Sequence, residues 1–242
     1  MKKIPIKVTT MLGATLLATG ATAQSPAPQA TKPTAEALEE IVIYSRGVVR
    51  QQQSVSAEQI DYLPAGTSPL KAIEKMPGVN FQSADPFGAY EWSTRIVVRG
   101  FNQNQMGFTL DGIPLGDMSY GNHNGLHISR AVPSENVGRV VLSQGSGALG
   151  TASTSNLGGT IEFYSADPGA DMGARVDLTG GSDAMRRGLI RFDTGSLGAA
   201  GPRVSLTVAD ATAEKWKGAG EQDQRMYNLK IVQPIGEKGS LT

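Results

Sequence analysis

Residues 70–81 read LKAIEKMPGVNF, residues 95–101 read RIVVRGF, residues 108–115 read FTLDGIPL, and residues 145–163 read GSGALGTASTSNLGGTIEF. Ser68 and Pro69 supply a helix cap and a first-turn proline just before the first stretch, and Pro77 ends the helix that they predict. Strands are predicted at 96–98, 108–110, 140–142 and 160–163. Short elements between glycine-rich and asparagine-rich turns predict a compact α+β domain over residues 55–165.

Beyond Pro168 the sequence changes to a two-residue alternation of apolar and polar side chains, which is typical of strands with one apolar face. The pattern occupies residues 170–242, with turns at 180–183 and 198–202. Its clearest apolar positions are Ala174, Val176, Leu178, Val204, Leu206, Val208, Tyr227, Leu229 and Ile231. The alternation is weaker around Ile190 and Phe192, because Leu189 falls on the polar side. Such strands fit a soluble sandwich or a lipid-facing barrel wall with a wet interior, and the pattern leaves both open.

The start of the chain carries the features of an export signal. Lys2, Lys3 and Lys7 form a basic start, residues 8–18 are mostly apolar, and residues 21–23 read Ala-Thr-Ala. The apolar run is shorter than the ~20 residues that a membrane-spanning helix needs. Residues 1–23 are therefore predicted to be a cleaved signal peptide. Residues 24–38 have almost no large apolar side chains, which predicts a flexible tether.

Residues 39–45 read EEIVIYS, a short β-prone patch between the tether and the polar run 51–53. An isolated apolar patch of this kind fits a strand that docks onto a partner's sheet. It fits equally well the first strand of the following domain, and these residues alone leave both open.

Composition excludes several classes of function. The 22 basic residues balance 22 acidic ones, so there is no surplus of positive charge for a nucleic-acid partner. There is no cysteine, which excludes disulfides, thiolate metal sites and a cysteine nucleophile.

The four stretches quoted first resemble, in their order and spacing, the plug domain of TonB-dependent outer-membrane receptors. That family fold is a plug inside a β-barrel of about 22 strands. The resemblance implies that residues 39–45 are a TonB box, with Glu40, Ile41, Val42, Ile43 and Tyr44 binding a TonB-type energy-coupling protein. It also implies that residues 170–242 are the first antiparallel strands of a barrel in contact with outer-membrane lipid, in a receptor that is monomeric at full length. Because so few strands cannot close a barrel, we expect a fragment or a truncated reading frame.

One departure from the family pattern concerns an internal ion pair. In the family, the strand before the glycine-rich run carries a glutamate that faces the arginine of the RGF phrase. Here Val141 stands at that place, and Gln144 begins a stretch that replaces the usual Arg-Gly-Pro. Arg99 is therefore expected to find its acidic partner elsewhere in the plug or in the barrel wall, since a buried unpaired guanidinium costs several kcal/mol.

The chain shows no signs of catalysis. The glycines at 145–150 lack the Gly-Lys-Ser/Thr ending of a phosphate loop. Only two histidines are present, and no Gly-x-Ser-x-Gly elbow accompanies them, so a hydrolase triad has no support. His123 and His127 are four residues apart, yet without placed carboxylates they are better interpreted as surface residues than as a metal site. The prediction is a protein that is not an enzyme and needs no cofactor or metal.

The two long loops, 82–94 and 116–126, are the candidate ligand-binding regions, because the family topology places them at the extracellular side of the plug. Their aromatic residues could stack on catecholate or sugar rings, or could pack against the barrel's inner wall. The predicted ligand-binding residues are Phe87, Tyr90, Trp92, Tyr120 and His123.

The resulting hypothesis is a receptor that imports a scarce small nutrient, namely a ferric siderophore, cobalamin or an oligosaccharide, with energy from a periplasmic partner. The alternative is a non-transporting, plug-like module that binds partners in the periplasm.

Overall fold

The computed structural model describes residues 6–7, 52–118, 125–145, 151–153, 155–198, 201–215, 217–235 and 239–242. They form a mixed domain, residues 52–165, and a six-stranded sheet, here called the wall sheet. The strands of the mixed domain are β2 (Gln52–Ser56), β3 (Val79–Gln82), β4 (Arg95–Val98), β5 (Phe101–Asn102), β6 (Gly107–Leu110), β7 (Ile113–Pro114), β8 (Val137–Gln144) and β9 (Gly159–Ser165). Those of the wall sheet are β1 (Ile6–Lys7), β10 (Met172–Gly180), β11 (Arg186–Ser196), β12 (Arg203–Glu214), β13 (Glu221–Ile235) and β14 (Gly239–Leu241).

The centre of the mixed domain is a five-stranded sheet in the order β2-β8-β9-β6-β7. β8 and β9 pair antiparallel, whereas β6 and β9 pair parallel. Phe108, Leu142, Ile161 and Phe163 are fully buried on this sheet because apolar side chains recur at every second position of its central strands. The predicted strands at 108–110, 140–142 and 160–163 are thus confirmed around one core.

A three-stranded sheet in the order β3-β4-β5 and several short helices complete the domain. The helices are α1 (Ala57–Asp61), α2 (Ile128–Ala131) and the 3-10 helices Pro69–Ile73, Gln103–Gln105 and Ser134–Asn136. Ser68 caps the helix at Pro69 as predicted, although this helix has 3-10 geometry and ends at Ile73. No described helix combines the length and apolar character needed to cross a membrane.

Two residues of the polar run 51–53, Gln52 and Gln53, belong to a β-strand. This strand, β2, pairs antiparallel with β8, and Gln53 of β2 lies opposite Leu142 of β8. The described sheet therefore begins at Gln52, three residues before the predicted boundary at residue 55. Polar residues can belong to this strand because backbone hydrogen bonds hold an edge strand in the sheet, and such a strand needs few apolar side chains.

The wall sheet confirms the four predicted alternating segments. β10, β11, β12 and β13 pair antiparallel in sequence order, and the sheet remains open. The side chains of Leu178, Leu206, Tyr227 and Leu229 are exposed on its outer face.

The inner face of the wall sheet packs against the mixed domain. Ser205, Thr207 and Ala209 on β12 are buried there, so this part of the polar face contacts protein and not water. Leu189, which weakened the alternation, is 0% exposed on the same face. Its apolar side chain suits this face because the neighbour is protein.

Polar contacts fix the docking of the wall sheet. Arg187 of β11 forms a bidentate ion pair with Glu135, with N–O distances of 2.7 and 2.9 Å. Both side chains are almost fully buried, at 7% and 4% exposed. The amide of Asn136 donates to Thr207 Oγ1 at 2.9 Å and to Asn228 Oδ1 at 2.8 Å. The 3-10 turn Ser134–Asn136 is therefore held by three successive strands of the wall.

Candidate ligand-binding site

The loop between β3 and β4, residues 83–94, is organised by the carboxylate of Asp85. This carboxylate accepts hydrogen bonds from the backbone N–H groups of Ala89 and Tyr90 at 2.9 and 3.1 Å, and from the hydroxyl of Ser83 at 2.6 Å. Thr94 closes the loop by donating its hydroxyl to the carbonyl of Tyr90 at 3.0 Å. A loop with its backbone groups satisfied in this way presents its side chains in a fixed arrangement.

The same loop is joined to the helix at Pro69. The N–H of Ser68 donates to the carbonyl of Phe87 at 2.7 Å, and the Lys71 ammonium donates to the carbonyl of Pro86. Gly88 has φ +65°, and a Cβ at this position would lie 2.7 Å from Cζ of Phe81. Only glycine fits both this backbone conformation and this contact.

Tyr90 and Trp92 present aromatic surface to solvent. Their rings stack with centroids 6.4 Å apart and planes inclined by 24°. Tyr90 is 38% exposed and Trp92 is 55% exposed, while Phe87 is half-buried. Exposed rings held on an ordered loop offer a flat apolar surface to a ligand.

A cavity of about 1340 Å³ lies between this loop and the wall sheet. Phe87, Tyr90 and Trp92 line it on one side. The β10–β11 hairpin around Asp183 and the facing ends of β12 and β13 line it on the other. The volume is ample for a small ligand. The structure thus brings together three of the predicted ligand-binding residues, and the described wall leaves Tyr90 and Trp92 uncovered.

Glu91 and Arg130 were not predicted from the sequence, yet both line the cavity. Arg130 Nε lies 2.8 Å from Glu91 Oε2, and the Glu91 side chain is only 15% exposed. The indole N–H of Trp92 donates to Glu91 Oε1. Nothing in the spacing of residues 91 and 130 indicates this pairing. For Asp85, by contrast, the Ser-Ala-Asp-Pro run is a recognisable turn signal.

His127 is a buried residue and not the surface residue expected from the sequence. It is 2% exposed and caps α2, with Nδ1 accepting a hydrogen bond from the N–H of Ser129 at 3.2 Å. Burial lowers the pKa of His127 to about 4, although Glu91 acts in the opposite direction. His127 is therefore neutral near pH 7. Among the described residues no group of three or more His, Asp or Glu side chains is placed to hold a metal ion.

The remaining predicted site residues lie outside the described residues. These are Tyr120 and His123 of the second loop, and Glu40, Ile41, Val42, Ile43 and Tyr44 of the predicted box.

Arg99 has no ion-pair partner among the described residues, and its side chain is exposed there. It adopts φ +49°, and its N–H donates to the carbonyl of Gly78 at 2.8 Å. A carboxylate does stand beside Val141, since Glu162 is its cross-strand partner in β9. Glu162 accepts a hydrogen bond from Thr151 Oγ1 at 3.2 Å. Among the described residues, Arg187 and Glu135 form the ion pair whose side chains are most deeply buried, whereas the partner expected for Arg99 is not found there.

Comparison with known proteins places these features in a family context. Residues 45–160 match the sequence model of the TonB-dependent receptor plug domain. No curated protein sequence matches the chain.

Similar solved structures include the pyoverdine outer-membrane receptor FpvA from Pseudomonas aeruginosa PAO1 bound to pyoverdine, with a TM-score of 0.60 and 21% identity over 76% of this chain and 25% of that one. The siderophore receptor PirA from Acinetobacter baumannii matches with a TM-score of 0.59 and 15% identity, over 79% of this chain and 30% of that one. The FpvAI–pyocin S2 complex matches with a TM-score of 0.57 and 21% identity, over 76% of this chain and 22% of that one. The chain thus spans about a quarter of the length of these receptors, and identities this low establish a shared fold.

Proposed function

On the premise that residues 45–160 are a TonB-dependent receptor plug domain followed by antiparallel wall strands, we propose that this protein imports a small nutrient across the outer membrane. The observation that carries the proposal is the cavity of about 1340 Å³ between the loop at 83–94 and the wall hairpins. Two stacked and exposed aromatic rings, Tyr90 and Trp92, line it. A concave site with flat apolar surface is what a compact organic ligand requires.

The outer face of the wall sheet supports an outer-membrane location. Leu178 is 82% exposed, Tyr227 71% and Leu229 61%, and all three point away from the mixed domain. A soluble module in the periplasm would expose this row of apolar side chains to water at a cost of about 25 cal/mol per Å². The non-transporting alternative is less favoured for this reason.

Energy coupling through residues 39–45 is part of the proposal. These residues precede β2, which is the first strand of the described plug sheet. An extended segment before the sheet could add to the edge of a TonB-type partner's sheet through backbone hydrogen bonds. The signal peptide at residues 1–23 belongs to the same proposal, since the receptor must be exported.

Ferric siderophores are the first substrate class to test, because the similar structures named above include receptors for siderophores. The probes are ferric pyoverdine and ferric enterobactin, with cobalamin and an oligosaccharide as the other classes.

The test uses the natural gene product purified from outer-membrane fractions. Replacing Trp92 with Ala should weaken binding of the true substrate about tenfold, because stacking on one ring contributes about 1.4 kcal/mol. Tyr62→Ala is the matched control, since Tyr62 is 88% exposed and does not line the cavity. Titration calorimetry measures both affinities. If the Trp92 variant and the wild type bind the substrate with equal affinity, the cavity is not the binding site.

A further inference from the structure

Glu91 lies between two elements that meet at the cavity. Its two carboxylate oxygens serve different partners: Oε1 accepts from the indole N–H of Trp92, and Oε2 lies 2.8 Å from Arg130 Nε. Arg130 belongs to α2, whereas Glu91 and Trp92 belong to the loop at 83–94. The carboxylate therefore joins the aromatic loop to a helix about 40 residues further along the chain.

The partner helix, α2, is itself held by two side chains from outside it. His127 caps its N-terminus by accepting from the N–H of Ser129. The carbonyl of Ser129 accepts a hydrogen bond at 3.0 Å from the side-chain amide of Gln224 on β13. A continuous series of contacts thus runs from the wall sheet through α2 and Arg130 to Glu91.

The end of this series is the exposed side chain of Trp92. Trp92 is 55% exposed, and its ring stacks on Tyr90 with 6.4 Å between centroids. An exposed indole can occupy several rotamers, and ordering it on ligand binding costs free energy. The bond to Glu91 removes part of that cost beforehand, because Glu91 is itself held by Arg130.

We propose that Glu91 is a positioning residue of the ligand site, which holds the Trp92 indole beside Tyr90 in the orientation that receives the flat face of the ligand. This proposal rests on the proposed function for its role in binding. Its structural part, that Glu91 orders Trp92, stands independently of any ligand.

Ordering of the indole is measured by ¹⁹F NMR of the natural gene product labelled with 5-fluorotryptophan. The resonance that is present in the wild type and missing in Trp92→Phe belongs to Trp92, however many other tryptophans are labelled. Glu91→Ala should shift this resonance toward the position of a solvated indole and increase its solvent-isotope shift. Glu58→Ala, which removes an exposed glutamate on α1, should leave it unchanged. Glu91→Gln should restore part of the wild-type position, because an amide oxygen still accepts from the indole N–H.

Binding is measured as a double-mutant cycle with ferric pyoverdine and ferric enterobactin. Glu91→Ala should weaken affinity about five- to tenfold in the wild-type background and have no further effect in Trp92→Ala, because residues that act as a unit are not additive. Additive losses, or an unchanged Trp92 resonance in Glu91→Ala, would overturn the inference. If neither probe binds while the resonance shifts as expected, the siderophore assignment fails and the ordering of Trp92 by Glu91 is upheld.

Discussion

At the scale of single residues, His127 shows how tertiary packing changes the chemistry of a side chain. In the sequence it is one of two histidines in a polar loop. In the fold it is 2% exposed, its Nδ1 caps α2, and its Nε2 has no hydrogen-bond partner among the described residues. A buried imidazole without a second partner is destabilised in its charged form.

The pH dependence of the region around α2 follows from this burial. The pKa of His127 is about 4 in the folded protein and 6.5 in an exposed histidine. Between these values the unfolded form binds the proton first, so stability is fully present above pH 6.5 and is lost as pH falls toward 4. The full loss is about 3 kcal/mol. In the described part of the chain, the charged groups that act on His127 are Glu91 and Arg130.

Hydrogen exchange of the backbone amides of residues 128–132, corrected for the intrinsic effect of pH, checks this expectation in the natural gene product. The opening free energy should fall between pH 6.5 and 4. His127→Asn should flatten the profile, since an asparagine oxygen can also cap the helix and does not titrate. A wild-type profile as flat as that of the variant would contradict the prediction.

At the scale of elements, the 3-10 turn Ser134–Asn136 joins the mixed domain to the wall sheet. Removing one member of its buried ion pair leaves the other charged and unpaired, at a cost of about 3–5 kcal/mol. Glu135→Ala should therefore greatly accelerate hydrogen exchange in this turn and in β11 where it packs. Glu135 also accepts from the N–H of Gly66 at 2.9 Å, so protection should fall there as well.

The double variant Glu135→Leu with Arg187→Met separates the ion pair from simple packing. Replacing both charges with apolar groups of similar size should recover most of the lost protection, because no charge remains buried. Arg225→Met is the surface control, since the exposed Arg225–Asp210 pair should contribute little. If the double variant exchanges as fast as Glu135→Ala, removing the unpaired buried charge does not restore protection, and this explanation of the loss is wrong.

The two faces of the wall strands make a separate prediction. Spin labels at Leu178, Leu206 and Leu229 should be accessible to oxygen dissolved in the lipid and shielded from a water-soluble nickel reagent. Labels at Thr179 and Gln222, which are half-buried on the inner face, should show the reverse. Power-saturation electron paramagnetic resonance of the reconstituted natural gene product measures both. Equal accessibility of the two sets would exclude a lipid-facing wall.

At the scale of the whole molecule, the proposed uptake would require that ligand binding and energy input act on separate parts of one chain. The cavity lies between the loop at 83–94 and the wall hairpins, whereas the predicted box at residues 39–45 precedes β2. Binding and coupling should therefore be separable by mutation.

Val42→Pro tests this separation. Proline removes one backbone donor and fixes φ, so strand addition to a TonB-type partner should fail, while the plug and the cavity remain intact. Ligand binding to cells should persist and accumulation should fall to background. Ala30→Pro, in the proline-containing tether, is the matched control. Binding and accumulation of radiolabelled ligand are measured in the same cells, and normal uptake by Val42→Pro would remove the box assignment.

The sequence by itself determined the elements whose signals are local. Alternation predicted the wall strands and their outer face, a serine-proline pair predicted the start of the helix at Pro69, and four short apolar runs predicted strands of the mixed domain. These predictions succeeded because side-chain periodicity and capping act within a few residues. Three of the ligand-binding candidates also line one cavity. They could be named from the sequence because aromatic residues in a long loop are a local feature.

Only the tertiary structure decided which distant side chains meet. Two contacts join segments that are separated along the chain: the Arg187–Glu135 ion pair and the Glu91–Arg130 contact. The burial of Leu189 on a polar face likewise depends on a distant segment that covers it. The neutral state of His127 depends on the same packing. No local pattern encodes such contacts, because the partner of a buried charge is set by which face of one element docks against another. That docking is a property of the whole fold, in which desolvation makes each buried group depend on all its neighbours.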